Sequence, residues 1–494
     1  MGDVKTPSNF NQAVWLAVGQ FSTAALAYVS AAILSRYLDK WDYGTYKQVL
    51  YVYTTLSTLF IVGLPSVFGY FIPRLNVKEQ KQLIKSINRL FIISGALFSL
   101  LLFFCASLIA DLLKNPSLEV ALKIFAPFPM FTLPALGIEG IYTALKKTKY
   151  IAIYSCVNKV ISLICIVTPV LVFNAGYIGA ILGWGLANLL IFIIAMYMKN
   201  RPYFGVKPEL IPNMYKTIFS YCAPLVGAFV AGFFISSASQ FFISRYYGTD
   251  AFADFSNGSM SIPFVAMIAS SVKSVLVPVI SKAHNDHDYG KISQVYSNAT
   301  VNSIQLIFPM LVFVMAFARA IMVLIYGSMY NTSAIYFQMY TIRDFCAALP
   351  YFSVLMAFGK TKIYMYMHIF GAIFVWGMDA ICVLLFTASP AFVVFNDSVF
   401  HVITSVVIFY FIFQKYHIRL FTAELARNIL KVLLDCTMCI TIAKCVTSFL
   451  PTSDNTITSL YALCIGGLVY VIALLMTGRL FGINYLVVIS KFKQ

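Results

Sequence analysis

Ten ionisable side chains, Glu139, Lys159, Lys273, Arg319, Arg343, Asp344, Asp379, Asp397, Asp435 and Lys444, stand inside stretches that are otherwise almost wholly apolar. An ion in such a place is costly unless it meets a partner or a wet cavity, so each is a candidate for binding or ion handling. Arg343-Asp344 is the strongest pair, lying midway between Ala334 and Phe358. A guanidinium there suits bidentate contact with a phosphate group, and the adjacent carboxylate suits a coupling proton or cation. Neighbouring helix positions diverge by about 100°, so the two are expected to face different partners. An ion pair between helices is the competing reading. Asp397 and His401, at i and i+4, are spaced to share a proton, with Asp397 at the periplasmic edge as the competing reading. Asp379 and Glu139 are further acids for ion coupling. Lys159, Lys273 and Arg319 are cations able to line a cavity, or, for the lysines, to reach back to the membrane surface. Cys436 and Cys439 form a C-x-x-C with no strand-helix-strand context, which reads as core packing and gives no metal site.

The elements that carry these residues follow from where charge is missing. No Asp, Glu, Lys or Arg occurs in 48–73, 90–110, 160–198, 217–244, 292–318 or 455–478. Crossing a bilayer core takes about 20 apolar residues, so each run can span, and 160–198, broken at Asn174-Ala175-Gly176, can span twice. Hydrophobic residues make up 60% of the 494 and charged residues 11%, against roughly 25% charged in soluble domains. The expected fold is an all-α polytopic membrane protein with about 14 transmembrane helices, centred near 23, 60, 100, 134, 162, 187, 230, 268, 308, 345, 375, 402, 441 and 468. The loops are too short for a soluble catalytic or receptor domain. The polar start, Met1 to Gln12, leads into a first span too long for a cleavable signal segment.

The net charge of +17 raises the question of nucleic acid, which the distribution of charge answers. With the N-terminus inside, cytoplasmic segments hold 24 of the 35 basic residues and the opposite side six. Such a bias is the signature of membrane topology, so both termini are expected in the cytoplasm and nucleic acid is not a partner. Lys78 to Arg89 and Tyr416 to Lys431 mix basic and apolar residues as surface helices on an anionic leaflet do, with solvated loop charge as the competing reading.

An internal echo organises the chain. Ile33-Leu34-Ser35-Arg36-Tyr37-Leu38 closes the first span, and Phe242-Ile243-Ser244-Arg245-Tyr246-Tyr247 closes the seventh, 209 residues later. Each is followed by an acidic, aromatic loop and a long uncharged stretch ending on a proline, Pro73 or Pro278. Six spans per copy give both copies the same orientation, a parallel repeat. Arg36 and Arg245 are then equivalent residues that either recruit phosphate or anchor helix ends. The expected organisation is an N-lobe over 1–200, a cytoplasmic linker over 201–216, a C-lobe over 217–413, a cytoplasmic amphipathic connector over 414–431, and two further helices and a tail over 432–494. Prolines at 65, 127, 129, 134, 224, 263, 309 and 350 fall within spans, where freed carbonyls need a neighbour or water.

Leu34-Ser35-Arg36-Tyr37-Leu38, Asp42-Tyr43-Gly44-Thr45-Tyr46, Gly63-Leu64-Pro65 and Tyr70-Phe71-Ile72-Pro73-Arg74 together resemble the bacterial polysaccharide and O-antigen flippases of the multidrug/oligosaccharidyl-lipid/polysaccharide exporter superfamily. The resemblance implies two six-helix lobes around a cavity, and translocation of an undecaprenyl-pyrophosphate-linked oligosaccharide from the cytoplasmic to the periplasmic leaflet of the bacterial inner membrane by alternating access. It implies no catalytic residue and no cofactor beyond a coupling H+ or Na+, with a polysaccharide polymerase or glycosyltransferase as possible partners. The substrate-binding candidates are Arg343, Lys159, Lys273, Arg319, Arg36 and Arg245; the ion-coupling candidates are Asp344, Asp379, Glu139, Asp397 and His401. A lipid II or drug/cation exporter of the same superfamily is the alternative, and a membrane-embedded polymerase or glycosyltransferase of the pathway is disfavoured by the short, uncharged periplasmic connections.

Overall fold

The structure, a computed structural model, describes residues 9–61, 63–450 and 455–485. Lys5, Lys491 and Lys493, which enter the topology argument, lie outside them. The described residues form helices and no strand, and fall into two compact units. The first comprises residues up to Ser237 with Ser244–Ala253, and the second Ala238–Ile243 with Asp254 onward. The first unit holds α1 (Asn9–Tyr37), α2 (Lys40–Ile61), α3 (Leu64–Phe71), α4 (Val77–Phe104), α5 (Ala106–Leu112), α6 (Ser117–Phe125), α7 (Pro129–Ala135), α8 (Ile138–Ala144), α9 (Thr148–Phe173) and α10 (Gly176–Asn200). Helices α11 (Met214–Tyr246) and α12 (Gly248–Gly258) contribute to both. The second unit continues with α13 (Pro263–Asn285), α14 (Tyr289–Ala316), α15 (Ala318–Tyr326), α16 (Ser333–Ala347), α17 (Tyr351–Ala357), α18 (Thr361–Leu384), α19 (Pro390–Tyr416), α20 (Ala423–Thr447) and α21 (Thr456–Thr477).

Eight of these helices, among the described residues, are long and apolar enough to cross a membrane, and ten spans result if α2 with α3, and α6 with α7 and α8, each count as one. Helix also covers the other four expected centres, in α1, α11, α16 and α20. The protein is a multi-pass membrane protein. The expected fourth span is broken for a visible reason: its halves bend by 53° where Pro129 opens α7, and Gly137, at φ 95°, opens α8. A Cβ on Gly137 would sit 2.3 Å from the Phe68 ring, so this turn requires glycine. Pro65 and Pro350 likewise start new helices instead of bending old ones. The Phe60 carbonyl beside the α2–α3 break is taken up by the Ser94 hydroxyl at 2.6 Å, as a backbone group at membrane depth must be.

Neither of the two basic-apolar segments forms a surface helix of its own. Asn76 and Glu79 form a capping box, which starts α4 at Val77, and Leu83, Ile84, Ile87 and Phe91 then bury one face. The basic run is therefore the first three turns of a spanning helix. Tyr416 to Lys431 divides between the end of α19, an irregular stretch, and the start of α20, where the Thr422 hydroxyl accepts from the Leu425 N–H at 3.1 Å.

Lys199, in the last turn of α10, is one of the 24 basic residues assigned to cytoplasmic segments. It is fully buried, donating to the Pro134 carbonyl at 2.6 Å and Asn88 Oδ1 at 3.0 Å. The ammonium thereby binds the kinked α7 to α4 and α10, between the rings of Phe68 and Phe91.

Each unit has a polar joint at the start of an equivalent helix. In the first, the Asn115 amide before α6 donates to Thr45 Oγ1 (2.9 Å) and Gln48 Oε1 (2.6 Å) on α2. In the second, the hydroxyls of Thr332 and Ser333 at the start of α16 donate to Asp254 Oδ2 (2.7 Å) and Oδ1 (3.0 Å) on α12. Asp254 stands 209 residues after Thr45, the interval of the sequence echo.

Candidate functional site

Within the second unit α16 packs along α19, and α17 turns away at Pro350. The Ser398 hydroxyl on α19 donates to the Met339 carbonyl on α16 at 3.0 Å, which fixes the register so that Asp397 meets Arg343, 54 residues earlier. One guanidinium then serves two carboxylates: Nη1 stands 3.4 Å from Asp397 Oδ2 and Nη2 3.4 Å from Asp344 Oδ1. The adjacent pair does meet, against the expectation from helix geometry, because the arginine stem is long enough to fold back along the helix. Both contacts are long for charge-assisted bonds. The guanidinium also lies over the Tyr340 ring, 3.8 Å from its centre, a cation–π contact.

Asp397 faces His401 one turn on, with Oδ1 3.9 Å from Nε2. The opposite ring nitrogen, Nδ1, is 2.8 Å from the Tyr351 hydroxyl on α17. A phenol donating to Nδ1 leaves the Nε2 proton directed at Asp397. Asp344 and Asp397 are both buried, at 8% and 9% exposure, so a single cation balances two acids in a poorly hydrated setting. Arg343, Asp344, Tyr351 and His401 border a cavity of about 370 Å³, whose opposite wall includes Lys273 on α13. Asp397 is not among the cavity's lining residues. The arrangement can bind an anion at Arg343 and Lys273, or a cation at the carboxylates once the guanidinium moves aside, with His401 and Tyr351 available to relay a proton.

Asp379 on α18 adjoins this group through Asn396, whose amide donates to Asp379 Oδ1 at 2.8 Å. Its Oδ2 is buried and makes no hydrogen bond; the nearby Ser239 hydroxyl donates to the Val393 carbonyl at 3.3 Å. The remaining candidates are elsewhere. In the first unit Lys159 lines a cavity of about 230 Å³ together with Lys47, Ser30, Ser162 and Trp184, and among the described residues no acid lines it. Arg36 is exposed in the last turn of α1, and Arg245 donates to the Leu112 carbonyl. Glu139 is exposed in the first turn of α8, and Arg319 is exposed near the start of α15. Tyr351, Tyr340, Asn396 and Lys47 are additions the sequence did not yield. Tyr351 follows a helix-breaking proline, which is the signal that a side chain there projects from a helix start.

The family model described as "Polysaccharide biosynthesis protein" matches residues 10–284, more than half of the chain. The chain belongs to the polysaccharide biosynthesis protein family. The Arg343 cluster lies beyond the matched stretch. A curated relative from Rhizobium meliloti (strain 1021), the succinoglycan biosynthesis transport protein ExoT, is 24% identical over 331 residues, which cover 64% of this chain and 62% of the relative. The fold of this family member is shared with solved structures. A lipid II flippase, MurJ, in an inward closed conformation matches with a TM-score of 0.71 at 15% identity, over 94% of this chain and 99% of that one. An inward-facing multidrug resistance transporter of the MATE family, within the MOP superfamily, matches with a TM-score of 0.61 at 12% identity, over 82% and 94%.

Proposed function

We propose that this family member is a flippase that carries a polyprenyl-pyrophosphate-linked oligosaccharide from the cytoplasmic to the periplasmic leaflet of the bacterial inner membrane, coupled to H+ or Na+ by alternating access. The lobes would be 1–200 and 217–413, with both termini in the cytoplasm. The observation that carries the reading is Arg343, held by two carboxylates at the edge of a cavity that Lys273 also lines. A pyrophosphate reaching Arg343 competes with Asp344 and Asp397 for it, and a cation or proton taken up by those acids weakens their hold. Anion and cation binding are then mutually favourable, a coupling of two ligands through one shared residue. Lys47 and Lys159, with no acid among the described residues that line their cavity, supply a second anion contact in the first unit.

Vesicles containing the purified protein and a fluorescent polyprenyl-pyrophosphate disaccharide test this. Entry of the lipid into the protected leaflet should depend on the protein and on an ion gradient. Arg343→Ala should abolish it, and Arg343→Lys should retain a fraction, since charge persists without the fork. Gradient-independent transport by Asp344→Asn at the wild-type rate would remove the coupling role. The surplus of acid over base around Arg343 favours one second reading, a cation-exchanging exporter; transport of an organic cation with none of the lipid-linked saccharide would establish it.

A further inference from the structure

Helix α14 carries Gln294, Asn298 and Asn302 at i, i+4 and i+8, so their amides form one stripe along a helix apolar enough to cross the membrane. The stripe forms one wall of a groove of about 760 Å³, whose other wall is the start of α20, with Glu424 and Asn428 one turn apart. The groove shares no lining residue with the Arg343 cavity. Its rim is fixed: the Ser293 hydroxyl donates to the Arg419 carbonyl at 3.0 Å, and Thr422 caps α20. Gln294, Asn298 and Glu424 are exposed along it, and Ser297, Asn302 and Asn428 are half-buried. Among the described residues Gln294, Ser297, Asn298, Asn302, Glu424 and Asn428 make no side-chain hydrogen bond to one another or to anything else.

A polar group without a partner costs several kcal/mol in hydrocarbon. Asn302 lies about 20 Å along α14 from its first residue, where lipid cannot satisfy it, so the groove must hold water or a polar ligand. The lining selects which ligand. It contains no Lys or Arg and one Glu, which disfavours a phosphate; one carboxylate is too few for a bound metal; the apolar side chains are too few for a hydrophobic guest. Amides and a carboxylate offer donors and acceptors in fixed planar pairs, matching neighbouring hydroxyls that both donate and accept.

We infer that the α14–α20 groove is a saccharide-binding site, separate from the Arg343 cavity, that holds uncharged sugar units of a glycan. It deepens the flippase reading by assigning the sugar portion of the substrate its own surface.

The test uses the full chain in membranes of the producing cells, with a benzophenone amino acid at Val301, a groove residue with no polar role. After irradiation and purification, the adduct is hydrolysed in acid and analysed for monosaccharides and for phosphate. The expected result is covalently attached sugar at Val301, none with the photolabel at the lipid-facing Val406, and a reduction of about tenfold or more when Asn298→Leu and Asn302→Leu remove two sets of hydrogen bonds. Sugar with phosphate marks a lipid-linked glycan, and sugar alone a free one. A phospholipid adduct without sugar, or unlabelled protein, overturns the inference. Attached sugar in a protein that does not transport would sink the flippase reading alone; transport without sugar at Val301 would sink this site alone.

Discussion

Arg343 offers the sharpest test of the cluster, through a double-mutant cycle of Arg343→Met and Asp397→Asn. At 3.4 Å and an effective dielectric of about 20, the guanidinium attracts each carboxylate by about 5 kcal/mol before desolvation is counted. Most of that is offset by the cost of burial, so the single change is expected to resemble the breaking of other buried pairs, a loss of about 3–5 kcal/mol. The physical source is two acids, 8% and 9% exposed, left without a counter-charge. Asp397→Asn alone should cost less, because Asp344 still pairs with Arg343. The double variant has the wild-type charge balance and should recover part of the loss, giving a coupling energy of about 2 kcal/mol. Melting of the protein in nanodiscs, at one scan rate because membrane proteins commonly unfold irreversibly, would read this as a drop of about 10 °C for Arg343→Met, at roughly 2–4 °C per kcal/mol, with partial restoration in the double variant. Additive effects, with a coupling below about 0.5 kcal/mol, would refute the shared-cation geometry.

Further outcomes follow from other features. Asn88→Ala removes one of two acceptors from buried Lys199 and should cost about 1–3 kcal/mol, seen in the same melting assay; Asn88→Asp, which restores an acceptor, should not. For topology, single cysteines at Lys123 and Lys147, in a chain cleared of its ten native cysteines, should react with an impermeant thiol reagent from outside only at 123, and reaction at 147 alone would overturn the map. Spin labels on the exposed Tyr37 and Met329, one in each unit, should show two distance populations whose ratio moves with substrate or ion gradient; one fixed distance in active protein would defeat alternating access.

How much of this was legible in the sequence depends on the kind of signal. Charge-free runs fixed the long helices, because hydropathy at membrane scale leaves the backbone few options. Arg343, Asp344, Asp397 and His401 were legible as ions at depth, yet their meeting was not, since it depends on the register of α16 against α19 that Ser398 and Met339 set. Tyr351 was hidden among 31 tyrosines, most with ordinary interfacial explanations. The burial of Lys199 was not legible for a physical reason: a lysine at a helix end can reach outward to water or turn inward to a carbonyl, and composition is the same in both cases. The inward turn requires an acceptor left free by a kink, and Pro134 supplies it only once α7 is folded.

The two polar joints are alike in a way that their residue types do not show. Asn115 is matched in the other unit by Thr332 and Ser333, and Thr45 by Asp254, so hardly a residue type is retained. The direction of the bond is: the later helix gives protons in both units, and the earlier one receives them. A donor-to-acceptor sense of this kind can be kept through amide, hydroxyl and carboxylate alike. A comparison of the two units that scores residue identity is blind to that likeness, whereas one that scores hydrogen-bond polarity at helix starts detects it.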